Sequence, residues 1–110
     1  MVKLNPEDKP DMLQAITNSS RLTMLAYLEK TKRANISQIA KAVGLDRSTV
    51  VYHLSLLSKV GLVEEQTVPI RPATSTGVIG RFFVLNTKNV SAAVELLTKE
   101  LATILAPKGT

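Results

Sequence analysis

The stretch SQIAKAVGLDRSTVVYHLSLLSKVGLVEE, Ser37 to Glu65, decides the fold. Ser37 stands where an N-cap belongs, and Ile39, Ala40 and Val43 follow at helical spacing. Gly44 stops that helix, because glycine enters the left-handed region without a Cβ clash. Asp46 then caps a second helix that runs to about Val60. On this second helix Val50, Leu54 and Leu57 mark one face, whereas Ser48, Tyr52, Ser55 and Lys59 fall on the opposite one. One side reads as core, and the other is a stripe of hydroxyls, a phenol and an ammonium group. Gly61 ends the helix, and the helical period ends with it.

Upstream, Pro6 and Pro10 punctuate the chain before Met12, Leu13 and Ile16, whose spacing predicts a short helix from about Asp11 to Asn18. The polar break Asn18 to Ser20 offers hydroxyls to cap a further helix, with Leu22, Leu25, Ala26 and Leu28 inward and an end near Lys30. Downstream, Leu62 to Val68 and Arg81 to Leu85 are rich in Val, Phe and Leu. They flank the twelve residues Pro69 to Gly80, with two prolines and two glycines, and together predict a β-hairpin with a long tip. From Lys88 to Ala106 a helix returns, in which Val90, Val94, Leu97, Leu101 and Ile104 are spaced like the a and d positions of a coiled coil. Such a stripe packs either on the domain's own core or on a second copy of the chain. The second copy is favoured, because the earlier helices already supply most of a small core.

The chain of 110 residues suits one domain, residues 1–110: a helical core over 11–61 with a helix-turn-helix at 37–60, a β-hairpin over 62–86, and a dimerisation helix over 88–106. Cysteine is absent and His53 is the single histidine, so thiolate sites and multi-histidine metal sites within one chain are excluded. No metal or cofactor is expected. No apolar run reaches the length of a membrane span and the first residues lack a secretory core, so the expected place is cytoplasmic, associated with the nucleoid. No Gly-rich phosphate loop and no paired carboxylates are present to build a catalytic site, and an enzyme is not expected. Between Ser20 and Gly61 seven cations (Arg21, Lys30, Lys32, Arg33, Lys41, Arg47, Lys59) face only Glu29 and Asp46, which accounts for the whole formal excess of +5. Positive charge gathered in one unit suits a polyanion, although a solvated basic surface reads the same way.

The segment Ser37–Glu65 resembles the helix-turn-helix of ArsR-type winged-helix transcription regulators, especially archaeal relatives. Ile39 and Ala40 are similar to the family's "IA" pair, Gly44 and Leu45 to its turn, and Ser48 and Thr49 to the opening of its recognition helix. His53 and Leu54 match its "HL", and Gly61 to Val63 its "GLV" exit into the wing. Arg21 and Leu22 resemble the "RL" that opens the preceding helix. The resemblance covers about residues 20–86. It implies a mainly α fold with a β-hairpin wing, a homodimer joined through terminal helices, and paired recognition helices in successive major grooves of double-stranded DNA. The chain departs from metal-sensing members, which use cysteines or His and carboxylate clusters. It departs again at Val51, where many relatives carry a small polar residue.

The residues expected to meet DNA follow from this reading. Arg47, Ser48, Thr49, Tyr52 and His53 open the recognition helix, with Ser55 and Lys59 further along its outer stripe and Ser37 and Gln38 at the start of the preceding helix. Arginine suits a bidentate contact to guanine, and hydroxyls suit bases or phosphates. His53 lies nearer the core edge, where a structural hydrogen bond competes with a DNA contact. Lys32, Arg33 and Lys41 are candidate phosphate contacts, and Arg71 and Arg81 flank the hairpin tip, where an arginine suits a narrow minor groove. Arg71 ranks above Arg81, which starts a strand. The competing functions are a sequence-tolerant chromosomal protein and a protein-interaction platform in a transcription or replication assembly. A small-molecule effector between the terminal helices fits the same architecture, but no residue identifies one.

Overall fold

Asn18 starts the main helical unit. Its side-chain carbonyl accepts the backbone N–H of Arg21 at 2.9 Å and so caps a helix over Ser19–Thr31. This carboxamide, rather than the following hydroxyls, is the cap, because its oxygen reaches the N3 amide. A computed structural model describes residues 8–69 and 79–105 of the chain. Helix α1 covers Asp8–Ile16, earlier by a few residues than the spacing predicts, and α2 is Ser19–Thr31. The face that α2 buries is Arg21, Met24, Leu25 and Leu28, while Leu22 and Ala26 are exposed. The predicted face is thus rotated. An arginine occupies the first inward position, so hydropathy conceals the true 21, 24, 25, 28 series.

Helix α3 is Ile36–Val43 and α4 is Arg47–Lys59. The N-cap of α3 is Asn35, not Ser37. Asn35 Oδ1 accepts the Gln38 N–H at 2.8 Å and the Gln38 Oε1 accepts the Asn35 N–H at 2.9 Å, a reciprocal capping box. Gly44 closes α3 at φ +72°, donating to Ala40 O. Strands β1 (Val63–Pro69) and β2 (Ile79–Leu85) pair antiparallel, Val63 opposite Leu85 through Pro69 opposite Ile79. Residues 70–78, most of the predicted tip with Arg71 in it, lie outside the described residues. The hairpin is not free-standing. Ala34, between α2 and α3, exchanges both backbone hydrogen bonds with Phe83, and Phe83 itself is buried in the core.

The last helix, α5, covers Thr87–Leu105. Its start is bolted to the end of α4: Asn86 N donates to Leu62 O at 2.9 Å, and Asn89 Nδ2 donates to Gly61 O at 2.8 Å. The core gathers Ala15, Ile16, Met24, Leu28, Ile39, Val50, Leu54, Leu57, Leu62 and Val63, all almost fully buried. It sits between α2, α3 and α4 and is closed by the foot of the hairpin. From α5 only Ala93 is fully buried, with Val90 packed at the core's edge. Among the described residues no helix is long and apolar enough to cross a membrane.

Candidate nucleic-acid interface

Helix α4 is fixed from behind. Val50, Leu54 and Leu57 are buried to 0%, 2% and 0% exposure, which leaves the helix no freedom to roll. The opposite side therefore faces outward by necessity. Ser48, Tyr52, Ser55 and Lys59 are all exposed, and Tyr52 most visibly so at 58%. Thr49 is half-buried at the edge of the stripe. Val51, also exposed, stands beside Ser55 on the side toward the hairpin. The expected set omitted it as a contact, although the same wheel that selects Ser55 places it one step aside.

His53 departs from the expected set. It is buried on the inner side of α4, and Arg21 Nη1 lies 3.1 Å from its Nδ1. Arginine only donates, so Nδ1 must accept and the ring proton sits on Nε2. Burial first, and the Arg21 charge second, lower the His53 pKa below its usual value. The same arginine donates to Ala15 O at 2.9 Å and to Gln14 O at 3.1 Å. One guanidinium thus joins the end of α1, the body of α2 and the inner face of α4. Arg21 belongs to the scaffold, and the exposed positive charge of the segment is correspondingly smaller than its sequence suggests.

At the front of α4, Ser48 Oγ donates to Asp46 Oδ2 at 2.8 Å. Hydrogen bonding from Thr49, then from Ser48, holds the Asp46 carboxyl below its ordinary range. That anion complements the positive end of the helix dipole and orients the Ser48 hydroxyl. Because Asn35 caps α3, the Ser37 hydroxyl is released from capping and accepts from Arg47 Nη1 at 3.2 Å. Gln38 uses its carbonyl oxygen on the cap, while Lys41 is exposed on the same helix. In the turn before α3, Lys32 pairs with Glu29 at 3.2 Å, and the Arg33 guanidinium lies 4.6 Å over the Phe82 ring on β2.

The wing contributes Arg81, whose Nε donates to Glu65 on the neighbouring strand. That contact lowers the Glu65 carboxyl and raises Arg81. A cleft of about 290 Å³ separates α4 from the hairpin, lined by Val51, Ser55, Ser58, Glu65 and Arg81 among others. Ile36, Leu54 and Phe83 complete its lining, so the walls between helix and wing are part polar and part apolar. Lys59 is exposed at the C-terminal end of α4, and Arg33 lies against β2. At the other end of the molecule α5 carries Val94, Leu101 and Ile104 at 48%, 50% and 73% exposure, with Leu97 half-buried.

Two short helices around a glycine turn, the second locked with a polar face outward, and a hairpin pinned beside it define a winged helix-turn-helix. Residues 18–65 match the family model described as bacterial regulatory protein, arsR family, so this segment is similar to an ArsR-type helix-turn-helix. Curated protein sequences give no match. Among solved structures the chain is similar to NolR from Sinorhizobium fredii, at 25% identity and TM-score 0.61, over 94% of this chain and 96% of that one. It is similar to the transcriptional repressor PagR of Bacillus anthracis, at 24% identity and TM-score 0.59, over 84% and 94%. A third is the homodimeric winged helix-turn-helix DNA-binding domain of a possible ArsR-family regulator from Mycobacterium bovis, at 19% identity and TM-score 0.62, over 96% and 89%.

Proposed function

We propose that the chain is a homodimeric transcription regulator that binds double-stranded DNA sequence-specifically. The observation that carries this reading is the two-sidedness of α4: an inner face fully committed to the core, and an outer face of Ser48, Val51, Tyr52 and Ser55 open to solvent. A helix so presented is about the width of the major groove, and hydroxyls, a phenol and an exposed methyl pair match the donors, acceptors and thymine methyls displayed there. Lys41, Lys59 and the arginines around the stripe supply phosphate contacts. Lys32 and Arg33 join them beside β2, and Arg71, outside the described residues, is a further candidate from the sequence.

The dimer rests on α5. Its exposed Val94, Leu101 and Ile104 form an apolar stripe that a second copy covers. A twofold axis there sets two α4 helices against half-sites about 34 Å apart on one face of the duplex. A place in the cytoplasm, on the nucleoid, follows from this activity. Selection of bound duplexes from a random pool tests the reading, followed by salt titration of the winner. The expected winner is a pseudo-palindrome bound with a steep salt dependence. Tyr52→Ala combined with Ser48→Ala is expected to abolish preference for it while the protein stays folded. Equal affinity for unrelated duplexes would instead make the chain a sequence-tolerant chromosomal protein. Unchanged affinity in the double variant would point to a protein-interaction platform.

A further inference from the structure

The notch between α3, α4 and β2 assigns Arg47 a role different from that of its neighbours on α4. At about 100° per residue, Arg47 lies a quarter turn and more from the Ser48 line, on the flank that meets α3. Its Nη1 is held by Ser37 Oγ at 3.2 Å. The notch it lines has a volume of about 240 Å³, and its other walls are Asn35, Ile36, Ser37 and Arg81. Arg81 enters from the wing. Its Nε is taken by Glu65, which fixes the guanidinium. Glu65 lines the neighbouring cleft but not the notch, and among the described residues no acidic one lines the notch.

Two guanidinium groups from different elements thus face one small polar space without a carboxylate in it. Glu65 offsets part of the Arg81 charge, but each guanidinium has five N–H donors and keeps donors beyond the one that Ser37 or Glu65 takes. Resting on the reading above, we infer that this notch seats a single backbone phosphate of the duplex. Arg47 and Arg81 grip it from two sides, and the Ser37 hydroxyl, having accepted from Arg47, keeps its own proton to donate to a phosphate oxygen. Planar guanidinium forks suit that geometry. Arg47 therefore positions the protein and reads no base. Sequence preference falls to Ser48, Val51, Tyr52 and Ser55.

Phosphate-ethylation interference on the duplex selected from the random pool tests this, using the wild type, Arg47→Gln and the pair Arg81→Gln with Glu65→Gln, which leaves no bare carboxylate behind. Arg47 and Arg81 are exposed, so the fold is expected to survive, and circular dichroism checks it. Both variants are expected to lose interference at the same phosphate in each half-site. The slope of log affinity against log salt should fall by about 0.9 for each lost contact. The ratio of affinities for the selected and a scrambled duplex should stay at its wild-type value. Arg47→Lys, which keeps the charge but not the fork, should recover part of the affinity. Relaxed preference at one guanine in Arg47→Gln would overturn the assignment, as would loss at two different phosphates. A wild type that binds no duplex at any salt would overturn the functional reading first, and this inference with it.

Discussion

Arg21 Nη1 lies 3.1 Å from His53 Nδ1 across a buried contact between α2 and the inner face of α4. The guanidinium also satisfies the carbonyls of Ala15 and Gln14 at the end of α1. Removing it strands the Ala15 carbonyl and the His53 ring nitrogen at once, while the Gln14 carbonyl keeps a contact from the Thr17 hydroxyl at 3.4 Å. Arg21→Met is expected to cost about 2–4 kcal/mol of folding stability. Arg21→Lys should recover little of that, since one ammonium group cannot reach three acceptors spread along a planar fork. Urea unfolding monitored by circular dichroism measures both. A lysine variant as stable as the wild type would show that charge alone, not the three-way bridge, holds α1 in place.

The same contact predicts an acid sensitivity. In the fold His53 is held neutral by burial and by Arg21, with its pKa below the ordinary 6.5. As pH falls the unfolded chain takes up the proton first, so stability drops. His53's contribution is complete above about 6.5, shrinks as pH falls through the lowered folded value, and then levels off. His53→Gln offers Arg21 an acceptor without a titrating proton. Stability of that variant should be flat across the window just below pH 6.5, where the wild type slopes. Parallel stability curves for the two proteins would exclude His53 as the source.

Gly44 and Gly61 both take positive φ, +72° and +83°, yet their surroundings differ. A Cβ at Gly44 meets nothing within 4 Å, whereas one at Gly61 comes within 3.0 Å of Asn89 Nδ2. Gly44→Ala is expected to cost only the left-handed strain, about 1–2 kcal/mol. Gly61→Ala adds loss of the Asn89 hydrogen bond, for about 2–3 kcal/mol in all. Asn89→Ala should then cost less on the Gly61→Ala background than alone, because the bond it removes is already broken. Additive costs would mean that Asn89 swings clear without loss.

How far the sequence reaches is visible in these same residues. The outer stripe of α4 and its buried Val50, Leu54 and Leu57 were legible because local periodicity sets them. So was the turn at Gly44. The identity of the α3 cap was not, because Asn35 and Ser37 are both good caps and only the reciprocal reach of Gln38 decides between them. His53 was ambiguous for a different reason. Its partner stands 32 residues away, and an arginine at an inward position reads as surface until a buried acceptor is known. The pairing of Arg81 with Glu65 depends on hairpin register, which composition leaves open.

The stripe on α5 gives the most direct test of assembly. Leu101 and Ile104 are 50% and 73% exposed, so within one chain they contribute little. Across a twofold interface each is buried twice, once per protomer, at about 1.5–3 kcal/mol per side chain fully buried. Leu101→Glu places a charge on each side of that seam. The variant is expected to keep its helix content and unfolding midpoint at low protein concentration, yet to sediment as a monomer where the wild type is a dimer. Its affinity for the selected pseudo-palindrome should fall by orders of magnitude, since a monomer engages one half-site only. Val90→Glu provides the contrast: Val90 packs on the core, so that change should lower stability at any concentration. A Leu101→Glu protein that still sediments as a dimer would move the interface off this stripe. The spacing of the two α4 helices would then have to be set elsewhere.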